Sequence, residues 1–151
     1  MARLARVVVP GAPHHITHRG NLRSDIFLSD GAQQLYVRLL AECAAQGGVE
    51  IWAWCLMGNH VHLLAVPRGA DSLRRGVGLA HQRYAAAVNA HHGWTGHLWA
   101  NRYYSTVLDE AHLWRAVKYV ELNPVRAGLV ARAEEYPWSS ARRHAGLAPG
   151  D

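Results

Sequence analysis

The chain has 151 residues, half of them apolar, and its 16 Lys and Arg against 11 Asp and Glu give a formal net charge of +5. This length suits one domain with one core, and so large an apolar fraction excludes a disordered chain. No signal-like stretch follows the N-terminus and no apolar run approaches transmembrane length, so a cytoplasmic protein with no membrane partner is expected.

Arginine dominates the basic residues, because Lys118 is the only lysine among the sixteen. Guanidinium groups bind phosphate oxygens through two donors and stack on bases, so this bias favours a nucleic acid as partner. The alternative is a GC-rich genome, in which arginine codons are favoured over lysine codons, and this explains part of the bias. Cys43 and Cys55 lie in apolar surroundings without metal-type spacing and are predicted to be reduced core thiols.

The first half of the chain predicts a strand, a helix and a hairpin. Asp30 and Gln33 resemble a capping box, and Gly47-Gly48 end the helix that follows it. Gly58-Asn59 is the turn signal of the hairpin. In chain order the predicted elements are a basic arm over 1–13, a strand over 14–19, a turn over 20–23, a helix over about 30–46, and strands over 49–56 and 60–66.

The second half predicts two more helices and one more strand. A helix capped by Asp71 or Ser72 has an apolar stripe at Leu73, Val77, Ala80, Tyr84 and Val88, and its other side carries Arg74, Arg75, His81 and Arg83. A strand is predicted over 97–108, and a helix capped by Asp109 over about 110–122, which Pro124 ends. The segment 136–140 is expected to pack back on the domain.

The order of these elements is β-α-β-β-α-β-α. It is the ferredoxin-like pattern of α+β proteins, with an antiparallel sheet, helices on one face and an added helix. The sequence shows no internal repeat and no low-complexity linker, so residues 1–151 are predicted to form a single domain.

Two histidines occupy alternate positions in the run Leu-Met-Gly-Asn-His-Val-His-Leu-Leu over residues 56–64. Because side chains alternate along a strand, His60 and His62 project from the same face. Neutral imidazoles on a stiff strand form half of a site for a divalent metal, which a third protein group and phosphate oxygens of a substrate would complete. The alternative is an exposed histidine pair without a ligand.

The helix predicted before Pro124 carries the second candidate group. With about 100° between residues, one stripe contains His112, Ala116, Tyr119 and Asn123, while Leu113, Val117 and Val120 face the core. Tyr119 is therefore a candidate nucleophile for a phosphodiester, and Asn123 a candidate metal ligand through its carbonyl oxygen. The alternatives are a tyrosine packed on the tail and an asparagine aimed elsewhere, since proline restricts the residue before it.

Arginines and aromatic residues alternate on the predicted turns and polar faces, which suits single-stranded or hairpin DNA. The arginines are Arg19, Arg23, Arg74, Arg75, Arg83, Arg102 and Arg126, and the aromatic residues nearest Arg102 are Trp94, Trp99, Tyr103 and Tyr104. Alternation in a strand places about half of such aromatics in the core, so Trp99 and one of the two tyrosines are expected inside. Of the other histidines, His97 or His112 is a candidate proton shuttle or support of a ligand.

Four segments in this order resemble the REP-associated tyrosine transposases, which are HUH single-tyrosine enzymes related to the transposases of the smallest insertion sequences. They are Thr-His-Arg-Gly-Asn over 17–21, the histidine run over 56–64, Tyr-Val-Glu-Leu-Asn-Pro-Val-Arg-Ala-Gly over 119–128, and Tyr-Pro-Trp-Ser-Ser over 136–140. The resemblance covers about residues 11–145.

The resemblance implies that His60, His62 and Asn123 bind Mg²⁺ or Mn²⁺ and that Tyr119 is the nucleophile. The tyrosine would form a 5′-phosphotyrosine and release a 3′-hydroxyl on single-stranded DNA beside an imperfect hairpin. The reaction would be a reversible strand transfer without ATP, and a monomer is favoured over a homodimer. The residues expected to bind DNA are Arg19, Asn21, Arg23, Arg74, Arg75, Arg102, Tyr103 and Arg126.

Two features depart from the family pattern. Gly58 stands where a proline is expected, which loosens the turn before His60 without removing a ligand. The chain ends soon after residue 140, so recognition of the hairpin is expected to fall to the domain itself. Two other functions stay open: a catalytically idle hairpin-binding protein, and a Zn²⁺ hydrolase, which would lack a carboxylate base in the motif.

Overall fold

In a computed structural model, of which residues 6–147 are described, four strands form one antiparallel sheet in the order β2-β3-β1-β4. The strands are β1 (His14–Arg19), β2 (Val49–Leu56), β3 (His60–Pro67) and β4 (Tyr104–Val107). The helices are α1 (Asp30–Gly47), α2 (Leu79–His92), α3 (Glu110–Glu121), α4 (Asn123–Arg126) and α5 (Ala141–His144). The predicted ferredoxin-like α+β fold is confirmed.

The two faces of the sheet are covered by different helices. Odd-numbered β3 residues such as Val61 and Leu63 pack with α1 and α2 in the larger core, while Leu64 packs with Val120 of α3 in a smaller one. The added helix therefore lies on the face opposite α1 and α2, and this is the face on which His60 and His62 project. No helix within residues 6–147 is long and apolar enough to cross a membrane.

The start of α1 differs from the prediction by one residue. Ser29, not Asp30, is the N-cap, because Ser29 has extended backbone angles and its side chain accepts a hydrogen bond from the amide of Ala32. The predicted end is confirmed, since Gly48 adopts the left-handed conformation with a φ of 78°.

A π-helical segment, Arg74–Gly78, precedes α2 and contains Gly76 and Gly78. A Cβ atom on Gly47 would lie only 2.6 Å from the amide nitrogen of Gly76, so the glycines allow the end of α1 to approach this segment. The predicted apolar stripe is confirmed, because Leu73, Val77, Ala80, Tyr84 and Val88 are all buried.

His81 was expected on the polar side of α2, and that prediction is wrong. Its ring is buried and bonded on both sides, to the Tyr36 hydroxyl at 2.7 Å and to Nδ1 of His18 at 2.7 Å. Trp99 stacks on both imidazoles, and Nε2 of His18 lies 3.1 Å from the carbonyl oxygen of Asn101. Hydrogen bonds to ring nitrogens offset the cost of burying these two histidines, which a polarity pattern does not show.

This buried network predicts acid-sensitive stability. Burial lowers the pKa of His18 to about 4, against 6.5 unperturbed, so between these values the unfolded chain binds a proton that the folded chain excludes. The free energy of unfolding should therefore fall as pH drops from 6.5 toward 4. We expect the free energy of unfolding of His18→Asn to depend less on pH. Measured by urea titrations at several pH values, its change per pH unit should be smaller than that of the wild type by up to about 1.4 kcal/mol.

The matched control for this prediction is His97→Asn, since His97 is an exposed histidine of the loop before β4. In this variant the free energy of unfolding should change with pH as it does in the wild-type protein. An unchanged pH dependence in His18→Asn would contradict the link between this histidine and acid unfolding.

The strand predicted over 97–108 is shorter in the structure, where only Tyr104–Val107 pair with β1. The preceding residues form a loop because Trp99 and Tyr103 turn into the core and Asn101 has a positive φ of 53°. Trp99 donates a hydrogen bond from Nε1 to the carbonyl oxygen of His81. The expectation that Trp99 and one of the two tyrosines are core residues is confirmed, and Tyr104 is the exposed one.

The third predicted helix ends before Pro124, close to the expected residue, but a short helix that was not predicted begins at once. Helix α3 ends at Glu121, and Pro124 lies in the first turn of α4, where the missing N–H of proline costs no hydrogen bond. The Asp109 cap is confirmed, because its carboxylate accepts a hydrogen bond from the amide of His112.

The tail segment packs back on the domain as predicted, along the free edge of β2. The amide of Leu56 donates to the carbonyl of Trp138, and the amide of Ser140 donates to the carbonyl of Trp54. The hydroxyl of Ser140 also bonds to the carboxylate of Glu121 at 2.6 Å. The tail therefore protects an edge strand and anchors the end of α3, two residues after Tyr119.

Candidate active site

The register of β1 against β3 determines which side chains adjoin the two histidines. On the face covered by α3, Thr17 lies opposite His62 and Arg19 opposite His60. Tyr104 of β4 lies on the other side of Thr17, so one row across the sheet runs from His62 through Thr17 to Tyr104. These residues line the floor of one open pocket.

Tyr119 projects from the end of α3 over this row. Its ring lies edge-on to the rings of His62 and His15, with centroid distances of 5.6 and 6.0 Å, and its side chain is 49% exposed. Val120, on the next position, is fully buried against the sheet. The helix is therefore fixed in rotation by its apolar stripe, which leaves the tyrosine beside the histidines and open to solvent.

One pocket brings together the four residues that the sequence identifies as candidate metal ligands and candidate nucleophile. It has a volume of about 570 Å³, and the residues that line it include His60, His62, Tyr119 and Asn123. Asn123 is half-buried at the first position of α4, so the proline after it starts a new helical turn and leaves the asparagine at the pocket. Within the described part of the chain, no Asp or Glu lines this pocket.

The hydrogen bond at Nδ1 of each histidine in the pair bears on which ring nitrogen carries the proton. Nδ1 of His60 lies 2.7 Å from the side-chain oxygen of Asn59, whose amide nitrogen donates to the carbonyl of Arg23. The asparagine oxygen can only accept, so His60 carries its proton on Nδ1 and leaves the lone pair on Nε2. Nδ1 of His62 lies 3.2 Å from Nε2 of His15.

Both histidines of the pair are poor bases in the folded protein. Burial lowers the pKa of His62 to about 3, with further contributions from the neighbouring His60, His15, Arg126 and Arg19. Burial and the guanidinium of Arg19 also lower the pKa of His60. Neutral imidazole is the form that binds a metal, so the pair is ready to act as a ligand near neutral pH.

The donor set fits a divalent cation held jointly with a substrate. No three His, Cys, Asp or Glu side chains converge as a metal site anywhere in residues 6–147. Two imidazole nitrogens and the carbonyl oxygen of Asn123 leave coordination positions for phosphate oxygens, which suits Mg²⁺ or Mn²⁺ in a phosphate site. A closed tetrahedral zinc site would need a fourth protein ligand.

Arg126 holds the tyrosine from the solvent side. Its guanidinium lies 4.4 Å from the centre of the Tyr119 ring, and Nη2 donates to the Tyr119 carbonyl at 2.6 Å. A cation at this position attracts an anionic phosphate and a developing phenolate.

The residues predicted to bind DNA, other than Tyr103, lie in three places. Arg19 and Arg102 line the pocket of the histidine pair, with Arg126 above Tyr119. Asn21 and Arg23 lie in an exposed turn joined to the histidine motif, where Arg23 has a positive φ of 59°. Arg74 and Arg75 instead line a larger cavity of about 700 Å³ with Arg6, and Arg102 lines both.

Tyr103 is a predicted DNA-binding residue that lines the larger cavity but is itself largely buried. Its ring is only 7% exposed, and the guanidinium of Arg6 covers it at 3.6 Å from the ring centre. Tyr104, 71% exposed, is the tyrosine that lines the pocket. Of the predicted basic arm, residues 1–5 lie outside the described residues, and Arg6 donates to the Tyr103 carbonyl at 3.0 Å.

Two residues at the site carry roles that the sequence did not suggest. The sequence does not single out His15, and it identifies Asn59 only as part of the turn before His60. The signal for Asn59 was its position next to His60, while the contact of His15 depends on the pairing of β1 with β3. Neither His97 nor His112 lines the pocket, and His112 bonds instead to Asp109 at 2.6 Å.

Fold and site together define a ferredoxin-like α+β protein with a histidine pair on an inner strand of its sheet and Tyr119 of α3 beside that pair. The model of the IS200-like transposase family matches residues 9–123. The match covers most of the chain, and the protein belongs to this family of transposases.

Two solved structures are similar to this chain. One is a REP-associated tyrosine transposase bound to a REP hairpin, with a TM-score of 0.78 and 22% sequence identity over 100% of this chain and 93% of that chain. The other is a candidate transposase from Deinococcus radiodurans R1, with a TM-score of 0.53 and 24% identity over 80% of this chain and 96% of that chain. A search of curated protein sequences gives no match.

Proposed function

We propose that this transposase is a metal-dependent endonuclease and strand transferase that cuts single-stranded DNA beside an imperfect hairpin. The observation that carries the proposal is the single pocket that His60, His62, Tyr119 and Asn123 line together. The working unit proposed is a monomer, in which one chain supplies all four residues, and residues 1–151 are proposed to form one domain.

The proposed step is an in-line attack of the Tyr119 hydroxyl oxygen on a phosphorus atom of the DNA. The bond from phosphorus to the tyrosine oxygen forms, and the bond from phosphorus to the 3′ oxygen breaks. The phenol loses its proton to solvent and the 3′ oxygen takes one up, which leaves a 5′-phosphotyrosine and a free 3′-hydroxyl. Because the phosphodiester energy is kept in the covalent link, a 3′-hydroxyl can reverse the step and join the strands without ATP.

The chain supplies ligands, orientation and positive charge for this step. His60, His62 and Asn123 would hold Mg²⁺ or Mn²⁺, which would act as a Lewis acid on the scissile phosphate. Arg126 keeps the tyrosine in place and, with Arg19, offers positive charge to the phosphate oxygens. The open, half-exposed position of Tyr119 gives a DNA strand access to its hydroxyl.

The arginines that line the two cavities provide a path for the DNA around the site. The pocket of the histidine pair and the larger cavity share Arg102 and Asn101, so a strand in the first is continuous with the arginines of the second. We propose that the backbone of the hairpin contacts Arg74, Arg75 and Arg102. The similar REP-associated transposase is bound to a REP hairpin, which supports this choice of partner.

The direct test uses a labelled single-stranded oligonucleotide that carries a hairpin from repeats flanking the gene, with Mn²⁺. We expect a protein–DNA band that resists denaturation in electrophoresis. DNA retarded in a native gel without any adduct would instead favour the idle hairpin-binding protein. Cleavage without an adduct would favour the Zn²⁺ hydrolase, although the absence of Asp and Glu from the described lining of the pocket argues against it.

Hairpin binding should weaken steeply with salt. Arginine–phosphate contacts release condensed counterions, so the three proposed contacts of Arg74, Arg75 and Arg102 predict a log–log slope of about −2 to −3 in fluorescence anisotropy titrations. In the double variant Arg74→Gln with Arg75→Gln, the slope should shrink by about 2. The matched control is Arg132→Gln, which lies outside both cavities and should leave the slope unchanged. A flat salt response would contradict the proposed path.

A further inference from the structure

We propose that His15 is a positioning residue for His62, and this inference rests on the proposed metal-dependent function. Nε2 of His15 accepts the proton of His62 Nδ1 and so keeps the lone pair of His62 on Nε2, where a metal can take it. Nothing in the sequence motif identifies His15, because it lies on β1, far along the chain from the histidine run.

The sheet register brings the two rings together. Thr17 lies opposite His62 and His15 lies opposite Leu64, so His15 is the diagonal neighbour of His62 on the same face of the sheet. The rings are stacked with centroids 5.4 Å apart and planes inclined by 23°, and the facing nitrogens are 3.2 Å apart. His15 is half-buried and His62 buried, so water does not readily replace this bond.

Only one direction of this hydrogen bond is compatible with metal binding. If His15 donated, His62 would accept on Nδ1 and carry its proton on Nε2, which would block the nitrogen that remains for a ligand role. His60 shows the same logic with a different partner, since its Nδ1 proton is directed to the side-chain oxygen of Asn59. Each histidine of the pair therefore has its own acceptor: Asn59 for His60 and His15 for His62.

His15 has the geometry of a support and not of a ligand or nucleophile. Its Nε2 is engaged by His62, and its ring meets the Tyr119 ring edge-on at 6.0 Å. The ring thus packs against both the proposed ligand and the proposed nucleophile, which limits the rotation of each side chain. Replacing His15 with a residue that cannot accept this hydrogen bond should therefore lower the affinity for the metal.

The test compares His15→Gln with His15→Phe. The amide of glutamine places an acceptor near the position of the histidine Nε2, while phenylalanine keeps a ring without any acceptor. In ¹⁵N NMR spectra of the metal-free protein, His62 should carry its proton on Nδ1 in the wild type and in His15→Gln, and on Nε2 in His15→Phe. Mn²⁺ affinity, read by electron paramagnetic resonance without DNA, should fall by about 10- to 100-fold in His15→Phe and stay near wild type in His15→Gln.

Two further variants separate the possible results. His112→Phe replaces a histidine outside the pocket and should change neither readout, and circular dichroism checks that each variant is folded. If His62→Ala retains Mn²⁺ affinity, the proposed metal site itself fails. If His62→Ala loses the metal while His15→Phe keeps both the tautomer and the affinity, the role of His15 is overturned. A wild-type His62 with its proton on Nε2 would overturn it without any variant.

Discussion

Tyr119→Phe should abolish formation of the covalent protein–DNA adduct while hairpin binding persists. Phenylalanine keeps the ring that lies beside His15 and His62 and under the guanidinium of Arg126. It removes only the oxygen that the proposed reaction attaches to phosphorus. Cleavage should fall by on the order of 10³-fold or more, since the variant has no nucleophile to replace it. The hairpin dissociation constant should stay within about fivefold, the scale of one lost hydrogen bond.

The measurement is denaturing electrophoresis of labelled hairpin oligonucleotide with Mn²⁺, run beside a native gel. Tyr104→Phe is the matched control, because Tyr104 is another exposed tyrosine lining the same pocket and should still form the adduct. Adduct formation by Tyr119→Phe at the wild-type rate would refute the assignment. Adduct lost in Tyr104→Phe alone would move the nucleophile to that residue.

His60→Ala and His62→Ala should each lose metal-dependent cleavage. Lewis-acid stabilisation of a phosphoryl oxygen is worth several kcal/mol, and about 1.4 kcal/mol corresponds to tenfold in rate, so each loss should be about 10²-fold or more. Each variant keeps one imidazole of the pair, and burial lowers the pKa of that imidazole and keeps it neutral. Raising the pH should therefore not restore the activity of either variant. The rate is measured against Mn²⁺ concentration for each protein.

His97→Ala is the matched control for the histidine pair, since it removes an exposed histidine that does not line the pocket. It should keep the wild-type dependence on Mn²⁺. Unchanged cleavage by His60→Ala or His62→Ala across the full Mn²⁺ range would show that the pair is not the metal site. Partial rescue at high Mn²⁺ would agree with a weakened site that keeps two of its three protein ligands.

The histidine pair and the tyrosine were predictable because each depends on local periodicity. Alternation in a strand is enough to place His60 and His62 on one face, and the apolar stripe of α3 is enough to turn Tyr119 away from the core. The same periodicity failed for His81, since a polar residue was assumed to face solvent. The bonds of its ring to Tyr36 and His18 come from α1 and β1, which no local pattern includes.

Backbone geometry explains the other differences. The cap of α1 moved to Ser29 because its extended backbone aims its side chain at a free amide, and Pro124 began a helical turn because the first turn needs no N–H from it. The strand expected over 97–108 lost its first half because Trp99 and Tyr103 turn into the core and Asn101 has a positive φ, which leaves Trp99 with only an isolated bridge to Gly20. In each case the sequence pattern allows more than one backbone conformation, and the contacts of the residue with its neighbours in the fold decide which one forms.

The sequence by itself determined the element order, the ferredoxin-like fold and the residues that form the proposed catalytic set, because these follow from periodicity, turn residues and short motifs. Only the tertiary structure decided that His15 supports His62, that Tyr104 and not Tyr103 faces the pocket, and that Arg74 and Arg75 line a separate cavity. For the first two the physical reason is strand register, since pairing β1 with β3 and β4 brings together residues far apart in the chain, whereas Arg74 and Arg75 are placed by the packing of the segment before α2 against the end of α1.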